Sequence, residues 1–367
     1  MNNVRAKTHI FSTLDGIRGI AALLVLVRHV PFFGGLDFQQ SYLAVDLFFI
    51  LSGVVISNAY QERLKRDLSP VQFVWMRIVR IYPLYLLGCA VTGVYWIAMD
   101  ISPVGHAVVI AISALFLIPN VSGQNSPFPL NGPAWSLFSE MLANIVYAFS
   151  LRWLNRSVLL AIASVAALWI TLVLYWNGSL NFGYDARDIV PGLCRVAYSF
   201  SAGILIWRLF CARGLQRHSK MTGARFVPWI ILVIVALLLS ASPHRTMQAI
   251  FDFVCVTAIF PALILVAMIF NPGHASAPIF KFLGLISYPV YVLHVPLAKW
   301  IPIVLRDSGV NLNSQPLWVG IGFIAFLLPL CWVLDRYYDM PIRRRALALG
   351  LHGLDKLGRA RVVTVSK

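Results

Sequence analysis

Apolar runs of about 18 residues or more recur along the whole of this 367-residue chain, each long enough to span the hydrocarbon core of a bilayer. No water is available at that depth to satisfy backbone N–H and C=O groups. Segments of this length and character must therefore be helices that close their own hydrogen bonds. Composition agrees, with 59% of residues hydrophobic and 12% charged, where soluble domains carry about 25% charged residues. The chain reads as all-α: a polytopic integral membrane protein.

Eleven apolar segments can be read, at roughly 14–33, 41–58, 82–99, 104–119, 134–150, 158–176, 191–210, 227–241, 247–270, 283–304 and 317–337. No soluble domain, low-complexity linker or internal repeat interrupts them. One membrane domain is expected over 1–340, followed by a basic tail, 341–367. The net charge of +16 gathers in that tail and in short connectors such as QERLKR and CARGLQRHSK. Lys/Arg excess in short loops marks the cytoplasmic side, which assigns 59–81, 211–226 and both termini to the cytoplasm. Nucleic acid is excluded as a partner, because no aromatic-rich soluble module accompanies the charge.

Parity then creates a conflict. An odd number of apolar segments separates the first two basic connectors, so one of them fails to cross. Segment 104–119 is short and ends in PNVSGQNSPFPLNGP, which makes it the candidate for a re-entrant or buried piece. The expectation is about ten transmembrane helices and one such segment. Cys89, Cys194, Cys211, Cys255 and Cys331 show neither a CxxC pair nor metal-ligand spacing. They read as free buried thiols, and no metal is expected. The N-terminal MNNVRAKTHIFSTL lacks a signal-peptide cleavage pattern, so the first segment is expected to remain as an anchor.

Ionisable groups inside these segments are costly, and such groups commonly mark reaction or ion pathways. LDGIRGIAALLVLVRH carries Asp15, Arg18, Arg28 and His29. On a helix Asp15, Arg18 and His29 share one stripe, Arg28 points about 100° away, and Asp15 can pair with Arg18 three residues on. Asp46 stands alone in SYLAVDLFFILSGVVIS and needs a basic partner, such as His29 or an arginine, or must be protonated. Gly53 on the same face reads as a close-packing position. Arg77 and Arg80, three apart before the third span, present two guanidiniums together and match phosphate geometry. Ser136, Glu140 and Asn144 make a polar stripe at four-residue spacing, with Trp135 expected in an interfacial belt. Ser287, Tyr291 and His294 share a face beside Pro289, which is expected to kink its helix and free backbone groups. One shared polar interior accounts for all of these.

LDGIRGIAALLVLVRH, VDLFFILSGVVIS, RIVRIYPLYLL, AWSLFSEMLANIVYA and ISYPVYVLHVPL, in that order, resemble the membrane acyltransferase 3 family over nearly the whole chain. The strongest elements are Arg18 and His29 with ten residues between them, and the Arg-x-x-Arg at Arg77 and Arg80. SGVVIS lacks the usual aromatic after Ser-Gly, and SLFSEM has one acid where many members have two. No fused extracytoplasmic hydrolase-like domain is expected after the last segment. The resemblance implies transfer of an acyl group, most often acetyl from acetyl-CoA, to a hydroxyl of a glycan such as lipopolysaccharide, exopolysaccharide or peptidoglycan, in the bacterial inner membrane.

Such a reaction needs a base near working pH, which suits His29. Asp46 or Glu140 is expected to orient its ring, as in a catalytic triad. Arg77, Arg80 and Arg18 are expected to hold the donor, with Asp15, Ser136, Tyr291 and His294 supporting the polar interior. The rival from another class is a glycan or lipid transporter using these groups as a proton relay.

Overall fold

The computed structural model describes residues 9–33, 35, 36, 38–120, 126–215, 225–307 and 316–350. Residues 216–224 of the expected basic connector and 351–367 of the expected tail lie outside them. Among the described residues the fold is entirely helical: α1 (Ser12–His29), α2 (Gln39–Arg66), α3 (Pro70–Ala98), α4 (Val104–Leu115), α5 (Ala134–Ser150), α6 (Arg156–Asn177), α7 (Ala186–Ala212), α8 (Val227–Ser240), α9 (Arg245–Ile269), α10 (Ala277–Ala298), α11 (Ile301–Asp307) and α12 (Leu317–Gly350). Seven of these, α2, α3, α6, α7, α9, α10 and α12, are long and apolar enough to cross a membrane. The other apolar helices fall short for identifiable reasons. α1 carries Asp15, Arg18 and Arg28 in 18 residues, α5 has 17 residues, and α4 and α8 have 12 and 14.

Local signals set the helix ends. Ser69 caps α3 through a reciprocal box: its hydroxyl accepts from the Gln72 backbone N–H at 3.2 Å, and the Gln72 side chain accepts from the Ser69 N–H at 2.9 Å. Asn155 caps α6, which ends at Gly178 with φ +72°. α2 and α3 run further into charged sequence than apolar content alone indicates. α12 continues unbroken past residue 341 to Gly350.

Proline shapes α10. Pro296 has no N–H for the carbonyl of Val292 one turn back, and Asn131 donates to that carbonyl instead at 3.1 Å. α9 and α12 each contain a π turn, at Cys255–Ile259 and Asp335–Asp339. Both lie at or beside a fully buried acid, Asp252 and Asp339.

Two helix pairs organise the bundle: α1 packs along α10, and α2 along α7. Gly53 and Gly203 meet where α2 and α7 cross, and a Cβ on Gly53 would lie 3.0 Å from the Gly203 Cα. The small pair lets two backbones touch, as read from Gly53. One end of the same seam holds Asp46, which is fully buried. Arg195 of α7 grips it with both forks, Nε to Oδ1 at 3.2 Å and Nη2 to Oδ2 at 2.5 Å. The guanidinium also donates to the carbonyls of Phe182 at 2.7 Å and Tyr42 at 3.1 Å.

Removing one member of a buried pair strands the other charge and costs about 3–5 kcal/mol, whereas apolar replacement of both is close to neutral. Arg195→Met is therefore expected to lower the melting temperature of the detergent-solubilised protein sharply. Asp46→Leu combined with Arg195→Met is expected to recover most of that loss. Thermal unfolding of the two variants beside the parent checks both expectations.

Candidate functional site: two abutting cavities

Three arginines converge on a cavity of about 160 Å³ near the end of the bundle where α1 and α3 begin. Arg18 comes from α1, Arg77 and Arg80 from α3, and the polar lining also includes Ser52 of α2, Ser136 and Glu140 of α5, and Ser287, Tyr288 and Tyr291 of α10. Glu140 accepts from Arg77 Nη2 at 2.8 Å and from Ser52 Oγ at 2.7 Å. Arg80 lies over the Tyr288 ring, 5.1 Å from its centroid, and 3.7 Å from Asp339 of α12. Asp339 also accepts from Arg343 at 2.5 Å. Arg18 forms no ion pair within 4 Å among the described residues. Its expected pairing with Asp15 is not made, because the Asp15 side chain turns to α10 and lies against Gly284.

A second cavity, about 720 Å³, lies at the opposite end of α1. His29 lines it, with Arg28, Tyr42, Trp135, Asp185 and Arg195 among its neighbours. His29 Nδ1 is 3.0 Å from His294 Nε2, and the rings are nearly parallel at 22°. His294 is fully buried, and its Nδ1 is 2.9 Å from the Val290 carbonyl. A carbonyl only accepts, so His294 carries a proton on Nδ1, and in the neutral ring its Nε2 is an acceptor. His29 must then donate from Nδ1, which leaves its Nε2 with a free lone pair. Tautomer assignment from the surrounding hydrogen bonds thus yields one base atom on the ring.

Expectation and structure part at the carboxylates. Neither Asp46 nor Glu140 bonds the His29 ring: Asp46 is held by Arg195, and Glu140 by Arg77 and Ser52. The orienting partner is His294. Trp135 is not in an interfacial belt. It is 8% exposed, lies under Gly183, and faces the Arg195 guanidinium at 5.6 Å. Arg28, expected to point away from the His29 stripe, lines the same cavity and donates to the Gln39 carbonyl.

The sequence reading did not single out Arg195, Asp252, Asp339, Ser52 or Tyr288. Asp252 accepts from Gln40, from the Tyr42 hydroxyl and from the Leu180 backbone at 3.0, 2.6 and 2.8 Å. It thereby ties α9 to two segments that wall the histidine cavity. A charged residue in an apolar run marks Arg195 and Asp252 as clearly as it marks Asp46. Asp339 lies beyond the last apolar segment and carries no such mark.

The two cavities abut. Val45 and Tyr291 line both. The Tyr291 hydroxyl is 2.6 Å from Ser136 Oγ, and its ring centroid is 6.2 Å from that of His294. Three guanidiniums line one cavity and an oriented imidazole lines the other, and Val45 and Tyr291 border both.

Comparison with known proteins fits this arrangement. Residues 11–336 match a family model described as an acyltransferase domain, that of the acyltransferase 3 family. The chain is 40% identical over 165 residues to protein 2 in picA locus of Rhizobium radiobacter, covering 41% of this chain and 85% of that one. It is 23% identical over 364 residues to the peptidoglycan O-acetyltransferase OatA of Listeria monocytogenes, covering 90% of this chain but 56% of that protein. It is 24% identical over 304 residues to the putative membrane-bound transacylase BcsY of Komagataeibacter xylinus, covering 77% and 72%. The chain thus spans little more than half the length of the peptidoglycan O-acetyltransferase it matches. No solved structure matches it. With its apolar helices and a match covering nearly its whole length, the chain is a multi-pass membrane protein of the acyltransferase 3 family.

Proposed function

We propose that the chain transfers an acyl group, acetyl foremost, from acyl-CoA to a hydroxyl of a carbohydrate or glycoside acceptor, such as a cell-surface or exported polysaccharide. One observation carries the reading: an arginine-lined cavity meets a histidine-lined cavity across Val45 and Tyr291. The names of the relatives, peptidoglycan O-acetyltransferase among them, support acetyl as the group and a glycan as the acceptor. The alternative of a transporter finds no support in the family match.

Arg18, Arg77 and Arg80 hold the donor's phosphates, whose geometry suits guanidinium forks. Glu140 keeps Arg77 turned toward the cavity, and Tyr288 with Asp339 does the same for Arg80. His29 Nε2 takes the proton of the acceptor hydroxyl as its oxygen attacks the thioester carbonyl. A C–O bond forms and the C–S bond breaks. The proton then passes from His29 to the departing CoA thiolate. His294 holds the ring and spreads the charge of the imidazolium. Asp46 acts through Arg195, which shapes the wall of the acceptor cavity, and Asp15 acts in helix packing.

The topology follows from lengths and charges. α1, α5 and α8 join the seven long helices as crossings, which gives ten. At 12 residues α4 is the shortest of the four apolar helices that fall short of a full span, with a rise of roughly 18 Å against a core of about 30 Å, and the parity of the basic connectors leaves it on one side. Both termini and the basic connectors face the cytoplasm, so the donor enters at the arginines and the acceptor approaches His29 from the outer face.

His29→Ala is expected to lower acyl transfer by about 100-fold or more while the protein stays folded in the membrane. Arg80→Gln is expected to raise KM for acyl-CoA by roughly tenfold, with a smaller change in kcat, because one charge-assisted contact to phosphate is lost. Transfer of labelled acetyl from acetyl-CoA to envelope glycan in membranes checks both, and normal transfer by His29→Ala refutes the assignment. For the topology, cysteines at Asp100 and Tyr184 are expected to react with an impermeant thiol reagent from the same, outer face of the membrane. Labelling from opposite faces means that α4 crosses.

A further inference from the structure

The wall between the cavities is thin, specific and stiff. Of all the described residues that line the two cavities, only Val45 of α2 and Tyr291 of α10 belong to both. Each is 6% exposed. Tyr291 is pinned at its hydroxyl, 2.6 Å from Ser136 Oγ and 3.4 Å from the Pro133 carbonyl. Its ring takes an edge contact with Phe48 at 5.6 Å and 83°. Val45 is β-branched and strongly prefers one rotamer in a helix. On the arginine side Phe48 and Phe49, about one turn along α2 from Val45, line the cavity together with Ser136, which bonds Tyr291. On the other side lies the His29–His294 pair.

We propose that Val45 and Tyr291 form the constriction in which the donor's acyl carbonyl meets the acceptor, that they are the stop for any longer acyl chain, and that Val45 sets the acyl length the protein accepts. The inference rests on the acyl-CoA reading above and names its specificity. A thioester that enters among the arginines has to bring its carbonyl carbon to this wall, because the base and the alcohol are on the far side. An acetyl group presents one methyl there. Each added methylene has to push into Val45 and Tyr291 or pass them into the space of the acceptor.

An apolar pocket discriminates one methylene by roughly 10–200-fold. A side chain held by two hydroxyl contacts and another held by β-branching cannot adapt cheaply to the extra volume. Tyr291 is tied into the polar interior, whereas Val45 makes only apolar contacts through its side chain. Val45 is therefore the position where length selection changes without disturbing the hydrogen bonds of the site.

The test uses membrane vesicles that hold the full chain, supplied with acetyl-, propionyl- or butyryl-CoA labelled in the acyl group. The readouts are base-labile label on the vesicles' own envelope glycan and release of the free CoA thiol. The parent is expected to lose roughly tenfold or more in transfer from acetyl to propionyl. Val45→Ala is expected to raise the propionyl-to-acetyl and butyryl-to-acetyl ratios by roughly tenfold. Val45→Ile adds a methylene and is expected to lower the propionyl-to-acetyl ratio below that of the parent. This second variant tests the stop independently if Val45→Ala does not accumulate in the membrane. A parent that turns over acetyl-CoA, with chain-length profiles unchanged in these variants, overturns the proposal. A parent that turns over none of the three donors overturns the acyl-CoA reading beneath it, whatever the variants do.

Discussion

A charge in the interior of a membrane protein persists only beside a partner, and the pairs that meet this condition fix how the helices of this chain lie together. Asp46 and Arg195 join α2 to α7 through a two-pronged contact with no exposure to speak of. Glu140 and Arg77 join α5 to α3. Asp339 brings α12 to Arg80 of α3. Each bond is between elements far apart in sequence, so the pairs specify neighbours that apolar packing alone leaves ambiguous. Lipid chains are as apolar as leucine, and hydrophobic contrast between helices is weak. The contact of Gly53 with Gly203 then sets how closely the most polar of these seams can close.

The pairs are not saturated in the same way, and that difference makes a site. Asp46 is neutralised completely and belongs to the framework. Around the arginine cavity Arg18, Arg77 and Arg80 face Glu140 and a shared Asp339, which Arg343 also engages. Among the residues that line the cavity, three arginines face one carboxylate where a polyanionic donor is proposed to bind. At the His29–His294 pair the hydrogen bonds run without a formal charge. The carbonyl of Val290 fixes the His294 proton, His294 fixes the His29 proton, and the remaining lone pair is on His29 Nε2. A neutral relay of this kind holds an imidazole ready to accept a proton while keeping a permanent carboxylate away from it.

The helices were largely legible in the sequence because hydrophobic run length is a direct consequence of bilayer thickness. The 134–150 segment coincides with α5, and 227–241 differs from α8 by one residue. α3 begins twelve residues before its apolar segment, because a membrane helix can extend into charged, interfacial sequence such as VQFVWMRIVR without losing its backbone hydrogen bonds. Of the residues assigned to one shared polar interior, Arg18, Arg77, Arg80, Glu140, Ser136 and Tyr291 line one cavity, whereas His29 lines the other with His294 beside it and Asp46 is held by Arg195. Partner identity was not legible. Asp46 needed a cation or a proton, but helical periodicity places residues on faces and says nothing about which distant face lies opposite. Arg195 and His294 are therefore tertiary facts, as is the burial of Trp135 beneath Gly183.

The proposed reaction requires one continuous route from the arginines to the His29 imidazole across Val45 and Tyr291. A structure of the full chain bound to a non-reactive thioether analogue of acetyl-CoA tests that requirement most directly. The phosphates of the analogue are expected among Arg18, Arg77 and Arg80, with its sulfur beside Tyr291 on the path to His29 Nε2. Phosphates away from those arginines, or an acyl end separated from His29 by an intact helix, would contradict it.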